Sequence, residues 1–147
     1  MKIAKVFPRK TNASPDDKLS FFSPPPKILP EIDEVHVSVT FTYDIEKAEK
    51  LAKSWNHVAP VKLGGPAFND HGDIFVPGKY LKNGYVITSR GCPNNCWFCD
   101  VHEREGNIRE LPITEGYNLL DSNILACSIE HIRKVFKMLK NSLKKQD

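Results

Sequence analysis

Apolar and polar residues alternate weakly from Lys2 to Phe7 and clearly from Val35 to Phe41. That period of two is the pattern of a strand with one buried face. His36 falls on the polar side, which makes it a partly exposed strand residue rather than a ligand. After Asp44, an N-cap residue type, the period lengthens. Ile45, Ala48, Leu51, Ala52 and Trp55 form one helical stripe. Val58 to Leu63 predicts a second short strand, interrupted at Pro60 and closed by Gly64-Gly65-Pro66. Strand, helix and strand at these lengths make a βαβ unit, and a sheet with helices on its faces follows. Between the first two strands, residues 10–30 read as loop, with Pro24-Pro25-Pro26 extended as a stiff connector.

The second half is more broken. Asn69 to Gly78 is polar and turn-rich and predicts a surface link. Residues 84–91 read as a short buried strand and a turn. His102 to Glu105 is charged, and Ile108 to Leu111 is a brief strand or arm. Leu119, Leu120, Ile124 and Leu125 flank Asp121-Ser122-Asn123 as a strand ending in a polar turn. Ser128 caps a last helix whose apolar stripe is Ile129, Ile132, Val135, Phe136, Leu139 and Leu143. Lys137, Lys140, Lys144 and Lys145 lie near its C-terminus, where the macrodipole favours cations. Contact with RNA is the sharper reading of that run; a solvated helix end is the preferred one.

Composition narrows the class. The chain has 147 residues, 40% apolar and 27% charged, with a formal net charge of +3. These are values of a globular protein, and the charge is too mild to indicate a nucleic-acid partner. No run approaches the roughly 18 apolar residues of a membrane span, and the N-terminus lacks the apolar core of a secretory signal. A cytoplasmic location is the default expectation. A complete (β/α)8 barrel needs about 200–250 residues, so the chain cannot contain one.

The cysteines change the picture most. Cys92, Cys96 and Cys99 stand within eight residues and Cys127 follows 28 positions later. A disulfide framework is unexpected in a reducing compartment, so metal or redox chemistry is indicated. Structural zinc sites use four ligands, commonly in pairs. Here the downstream pair is missing, and a zinc site would have to recruit Cys127 or His102. Three thiolates suit an iron–sulfur cluster with one iron left open, whereas an electron-transfer cluster would need Cys127 as fourth ligand. Cys127 itself, beside the Ser128 cap, reads as a buried inert thiol. Arg90 and Arg104 flank the loop, either as cations near a cluster or in surface pairs with Glu103 or Glu105.

The segment Gly84-Tyr85-Val86-Ile87-Thr88-Ser89-Arg90-Gly91-Cys92-Pro93-Asn94-Asn95-Cys96-Trp97-Phe98-Cys99 resembles the signature of the radical S-adenosylmethionine (radical SAM) enzymes. The resemblance implies a 4Fe–4S cluster with one iron on each of Cys92, Cys96 and Cys99. It also implies that S-adenosyl-L-methionine chelates the fourth iron and is cleaved reductively to a 5′-deoxyadenosyl radical. In fold terms it implies an α/β chain: a short βαβ N-terminal segment, then an incomplete radical SAM (partial TIM-like) barrel. The expected division is 1–78, a proline-rich start with a degenerate doubly wound segment, and 79–147, the core with the cluster loop. Residues 35–66 are similar to a degenerate piece of a cobalamin-binding domain. The Asp-x-His-x-x-Gly motif of that domain is absent, and Asp100 to Gly106 is one residue too long, so no cobalamin is expected.

The family's Gly-Gly-Glu-like segment is not found, and Asp121-Ser122-Asn123 stands where polar contacts would be needed. Trp97 and Phe98 are expected to cover the thiols. The chain is expected to correspond to the N-terminal part of a longer enzyme and to turn over little alone. A second chain would complete its barrel. Its substrate and catalytic residues are not legible. The alternative is a non-catalytic iron–sulfur or zinc-binding module that acts with a partner chain.

Overall fold

A computed structural model describes residues 1–70 and 74–145. The chain is mixed α/β with a parallel sheet and several helices. It divides into two compact units, Met1–Gly72 and Asp73–Asp147. The link expected over residues 69–78 falls partly, at 71–73, outside the described residues.

The first unit is built on a sheet of four parallel strands in the order β2-β1-β3-β4. These are β1 (Ile3–Val6), β2 (Ser20–Phe21), β3 (Glu34–Ser38) and β4 (Val61–Gly64). Helix α1 (Ile45–Trp55) joins β3 to β4. Burial alternates along β1 and β3, as the sequence pattern requires. Ala4, Val6, Val35, Val37 and Val39 pack with Ala48, Leu51, Trp55 and Ala59 in one apolar core.

Strand β2 lies inside the stretch expected to be loop. Its placement follows from Asp17, whose carboxylate accepts from the Leu19 amide at 2.9 Å, the Ser20 hydroxyl at 3.0 Å and the Lys5 ammonium of β1. Phe21 then packs at a tilt on Trp55, ring centroids 4.9 Å apart, and the Trp55 indole N–H reaches the Ser23 carbonyl at 3.0 Å. Phe21 before the three prolines and Leu29 and Ile32 after them tie the proline-rich segment to the core.

Three details refine the sequence reading. Asp44 occupies the N-cap of α1, yet its side chain makes no cap bond and instead holds Arg9 through two oxygens at 2.8 and 3.0 Å. A bidentate charged pair outcompetes one amide donor. Pro60 lies outside β4, its carbonyl accepting from Val35. Gly65, at φ +110°, would put a Cβ 2.7 Å from the Val39 carbonyl oxygen, so close backbone approach accounts for this glycine.

The second unit has short strands. β5 (Tyr85–Val86) pairs in parallel with β8 (Asn118–Leu119), and β6 (Ser89–Arg90) pairs antiparallel with β7 (Arg109–Glu110). Helices α2 (Val101–Glu105) and α3 (Ile129–Lys144) complete it. The single strand expected before the cysteines is thus split. Thr88 is the reason: its amide goes to the Asp121 carboxylate at 2.7 Å and its carbonyl to Leu111, so the ladder changes partner there.

The Ser128 hydroxyl caps α3, accepting from the His131 amide at 3.2 Å. Its replacement by alanine is expected to cost about 1 kcal/mol, read as a lower urea midpoint with unchanged slope. The buried face of α3 differs from the expected stripe. His131, Val135 and Ser142 point inward, while Ile129, Phe136 and Leu143 are 66%, 50% and 53% exposed. Polar anchors set this rotation. Glu110 takes the Ser128 amide and faces His131, the Gly116 amide meets the Met138 sulfur, and Lys145 pairs with Glu115. Among the described residues, no helix is long and apolar enough to cross a membrane.

Candidate metal centre

The three clustered cysteines lie on the connection from β6 to α2, whose base is closed by the β6–β7 pair. Gly91 opens the loop at φ +86°. A Cβ there would stand 2.2 Å from the Asn107 carbonyl oxygen, so only glycine lets the loop pass this turn. The next amide, of Cys92, donates to the Gly106 carbonyl at 3.0 Å, and His102 Nδ1 stands 2.9 Å from the Cys92 carbonyl oxygen. Farther out, the Cys99 amide donates to the Cys96 carbonyl and makes a tight turn.

Burial along this loop follows the thiols. Cys92, Cys96 and Cys99 are half-buried, whereas Pro93, Asn94, Asn95, Trp97, Phe98 and Asp100 are exposed. The aromatics do not cover the thiols as expected. Trp97 is 95% and Phe98 73% exposed, packed edge to face on each other at 5.5 Å. An apolar pair of this size facing solvent contrasts with the small, polar loop around it.

Beneath the loop lies a charged layer. Glu105, with a side chain only 4% exposed, accepts from the Gly91 amide at 3.1 Å and the Ser122 hydroxyl at 2.9 Å. Arg90 and Arg104 approach the same carboxylate at 3.8 and 3.7 Å. Both arginines thus pair with Glu105, whose carboxylate is buried rather than at the surface. Burial alone would raise the Glu105 carboxyl, but the two hydrogen bonds and two guanidinium groups outweigh it and hold it below the usual carboxylate range. Burial pulls Arg90 down from its usual value, against the pull of Glu105 and Asp121.

Asp121 binds three groups that precede the loop, the Thr88 amide and hydroxyl, both at 2.7 Å, and the Ser89 hydroxyl at 2.6 Å. Ser122 reaches Glu105 behind the loop, and the Asn123 side-chain amide donates to the Cys92 sulfur at 3.2 Å. Cys127 is buried beside Ser89, its thiol raised by burial with the Ser89 hydroxyl working the other way.

Among the described residues, no three His, Cys, Asp or Glu side chains are grouped to hold a metal ion. A single ion needs its ligands around one point. A cubane cluster holds each thiolate on a different corner, with the ligands correspondingly farther apart. Three free, half-buried thiols stand on one short loop, and the Cys92 sulfur already receives an amide donor. His102 Nδ1 meets the Cys92 carbonyl, and Cys127 is buried with the Ser89 hydroxyl as a partner.

The sequence marked the cysteine loop directly and Asp121-Ser122-Asn123 as polar contacts of unknown target. Glu105 was legible only as a surface partner for the two arginines; its buried bonds to the Gly91 amide and the Ser122 hydroxyl were not. Comparison of the chain with protein-family models, curated proteins and solved structures finds no match.

Proposed function

We propose that the second unit is a radical SAM-type core that binds a 4Fe–4S cluster through Cys92, Cys96 and Cys99. The observation that carries the reading is the coincidence of spacing and burial. The three positions of the signature are the half-buried ones in an otherwise exposed loop. Bound there, the cluster would supply the electron that cleaves S-adenosyl-L-methionine to a 5′-deoxyadenosyl radical. The chain's own part is to orient three sulfurs, through the Gly91 turn and the Cys92–Gly106 bond, and to hold the loop's base with Glu105 and Asp121. The parallel β5–β8 pair, connected through the cluster loop and α2, is consistent with the opening strands of a partial TIM-like barrel. The parallel sheet of the first unit fits a degenerate doubly wound segment, for which we propose no cobalamin. Free thiols and this chemistry go with a reducing, cytoplasmic setting.

A second reading, a non-catalytic iron–sulfur or zinc-binding module acting with a partner chain, draws on the apolar surface. Trp97, Phe98, Ile129, Phe136 and Leu143 present large side chains to solvent. Such surfaces are typical of partner contacts. The same surface would receive a chain that completes the site of an enzyme. Phe136→Lys is expected to reduce concentration-dependent association of the isolated chain, measured by light scattering.

Anaerobic reconstitution with iron and sulfide separates the readings. Iron and sulfide at the level of one cubane, with an EPR signal altered by S-adenosyl-L-methionine, supports the first. A cluster insensitive to that cofactor, or one zinc ion per chain without visible absorbance, supports the second. Formation of 5′-deoxyadenosine with a strong reductant is expected to be slow from this chain alone.

A further inference from the structure

We propose that Asn123 is a positioning residue for Cys92 and sets the electron affinity of the cluster bound there; the inference rests on the cluster assignment above. Its side-chain amide donates to the Cys92 sulfur at 3.2 Å, across 31 positions of sequence. Among the described residues, the Cys96 and Cys99 sulfurs receive no hydrogen bond. The three thiols are therefore chemically distinct before anything binds.

The contact is built rather than incidental. Asp121 is tied by three bonds to Thr88 and Ser89, ahead of the loop. Ser122 is tied to Glu105, which holds the Gly91 amide. Asn123, next in sequence, then has its direction fixed by a backbone anchored on both sides of the loop. At φ −155° and ψ 80° it leaves the strand path and heads the short 3-10 turn Ile124–Ala126. Three consecutive side chains thus grip the loop before it, behind it and on the sulfur.

The physical consequence is directional. A thiolate on a cluster carries negative charge, and it carries more after reduction. A neutral amide donor stabilises both states, the reduced one more, and so raises the potential. An amide also delivers this without adding a charge and stays a donor at every pH. Direct support of an outer-shell donor by a rigid network is what makes such an effect reproducible.

The test uses the full chain reconstituted anaerobically, with Asn123→Leu, Asn123→Asp and Asn123→Gln beside the parent. Iron and sulfide content, the midpoint potential from EPR-monitored titration and the Fe–S(Cys) stretching frequencies from resonance Raman are read in each. Asn123→Leu is expected to keep a full cluster, shift the potential negative and raise one Fe–S(Cys) stretch. Asn123→Asp is expected to shift the potential further negative, since a carboxylate would face the sulfur. Asn123→Gln, which restores a donor, is expected to recover part of the shift. A parent-like potential and parent-like stretches in both Asn123→Leu and Asn123→Asp would overturn the inference while leaving the cluster assignment standing. A parent chain that takes up no cluster would overturn that assignment, and this inference with it. Circular dichroism of the apo chains controls for folding. Should Asn123→Leu lose its fold, Asn123→Gln and Asn123→Asp still report, because a purely structural role predicts no opposite ordering of their potentials.

Discussion

Alanine at Cys92, Cys96 or Cys99 is expected to reduce reconstituted iron and sulfide from a full cluster to background, while Cys127→Ala retains the parent level. The proposed cluster draws on the three half-buried thiols of one loop, while Cys127 is buried with Ser89 as a partner. Removing one thiolate leaves a second corner of the cube without a protein ligand. The effect should be equal at the three positions despite their different surroundings, because in the proposed cluster each sulfur would serve one corner. The apo proteins should keep parent-like far-UV spectra, since the β6–β7 pair and the Gly91 turn do not depend on the thiols. Iron that survives Cys96→Ala, or disappears with Cys127→Ala, would sink the ligand set.

Glu105→Ala is expected to destabilise the second unit by about 3 kcal/mol, a large part of the total stability of a small domain. The substitution orphans the Gly91 amide and the Ser122 hydroxyl and leaves Arg90, itself half-buried, without its carboxylate. Glu105→Gln keeps an acceptor for the amide and should lose less. Urea unfolding followed by a probe in the second unit measures both.

The charge has a pH signature whose sign follows from the lowered Glu105 value. A carboxylate depressed in the folded state contributes stability above its unfolded pKa, about 4.3. That contribution is lost as pH falls through the lower, folded value. The parent should therefore lose stability more steeply than Glu105→Gln below about pH 4.3, and the two curves should run parallel above it. Parallel curves throughout would show that Glu105 is held by packing and not by its charge.

Much of the first unit was legible because its determinants are local and periodic. Alternation in β1 and β3 and the stripe of α1 each act within a few residues, whereas β4 starts after Pro60 and runs through Gly64, shifted from the expected 58–63. Strand β2 was not legible. Two residues have no period, and their pairing depends on Asp17 and on Trp55 far along the chain. In α3 the periodicity identified a helix and its Ser128 cap correctly. The direction it faces was set by Glu110, Glu115 and Gly116, which lie outside it.

The cysteine loop divides along the same line. Residue type and spacing alone marked Cys92, Cys96 and Cys99 as one proposed set, because that pattern is a property of one short stretch. Only the tertiary structure decided what supports that stretch. Glu105 lies under Gly91, Asp121 holds Thr88 and Ser89, and Asn123 points at the Cys92 sulfur. It also decided that Trp97 and Phe98 face outward. These arrangements depend on which distant side chains the fold brings within hydrogen-bonding range. A hydrogen bond is directional and short, so a separation of 31 positions leaves no trace of it in the local pattern.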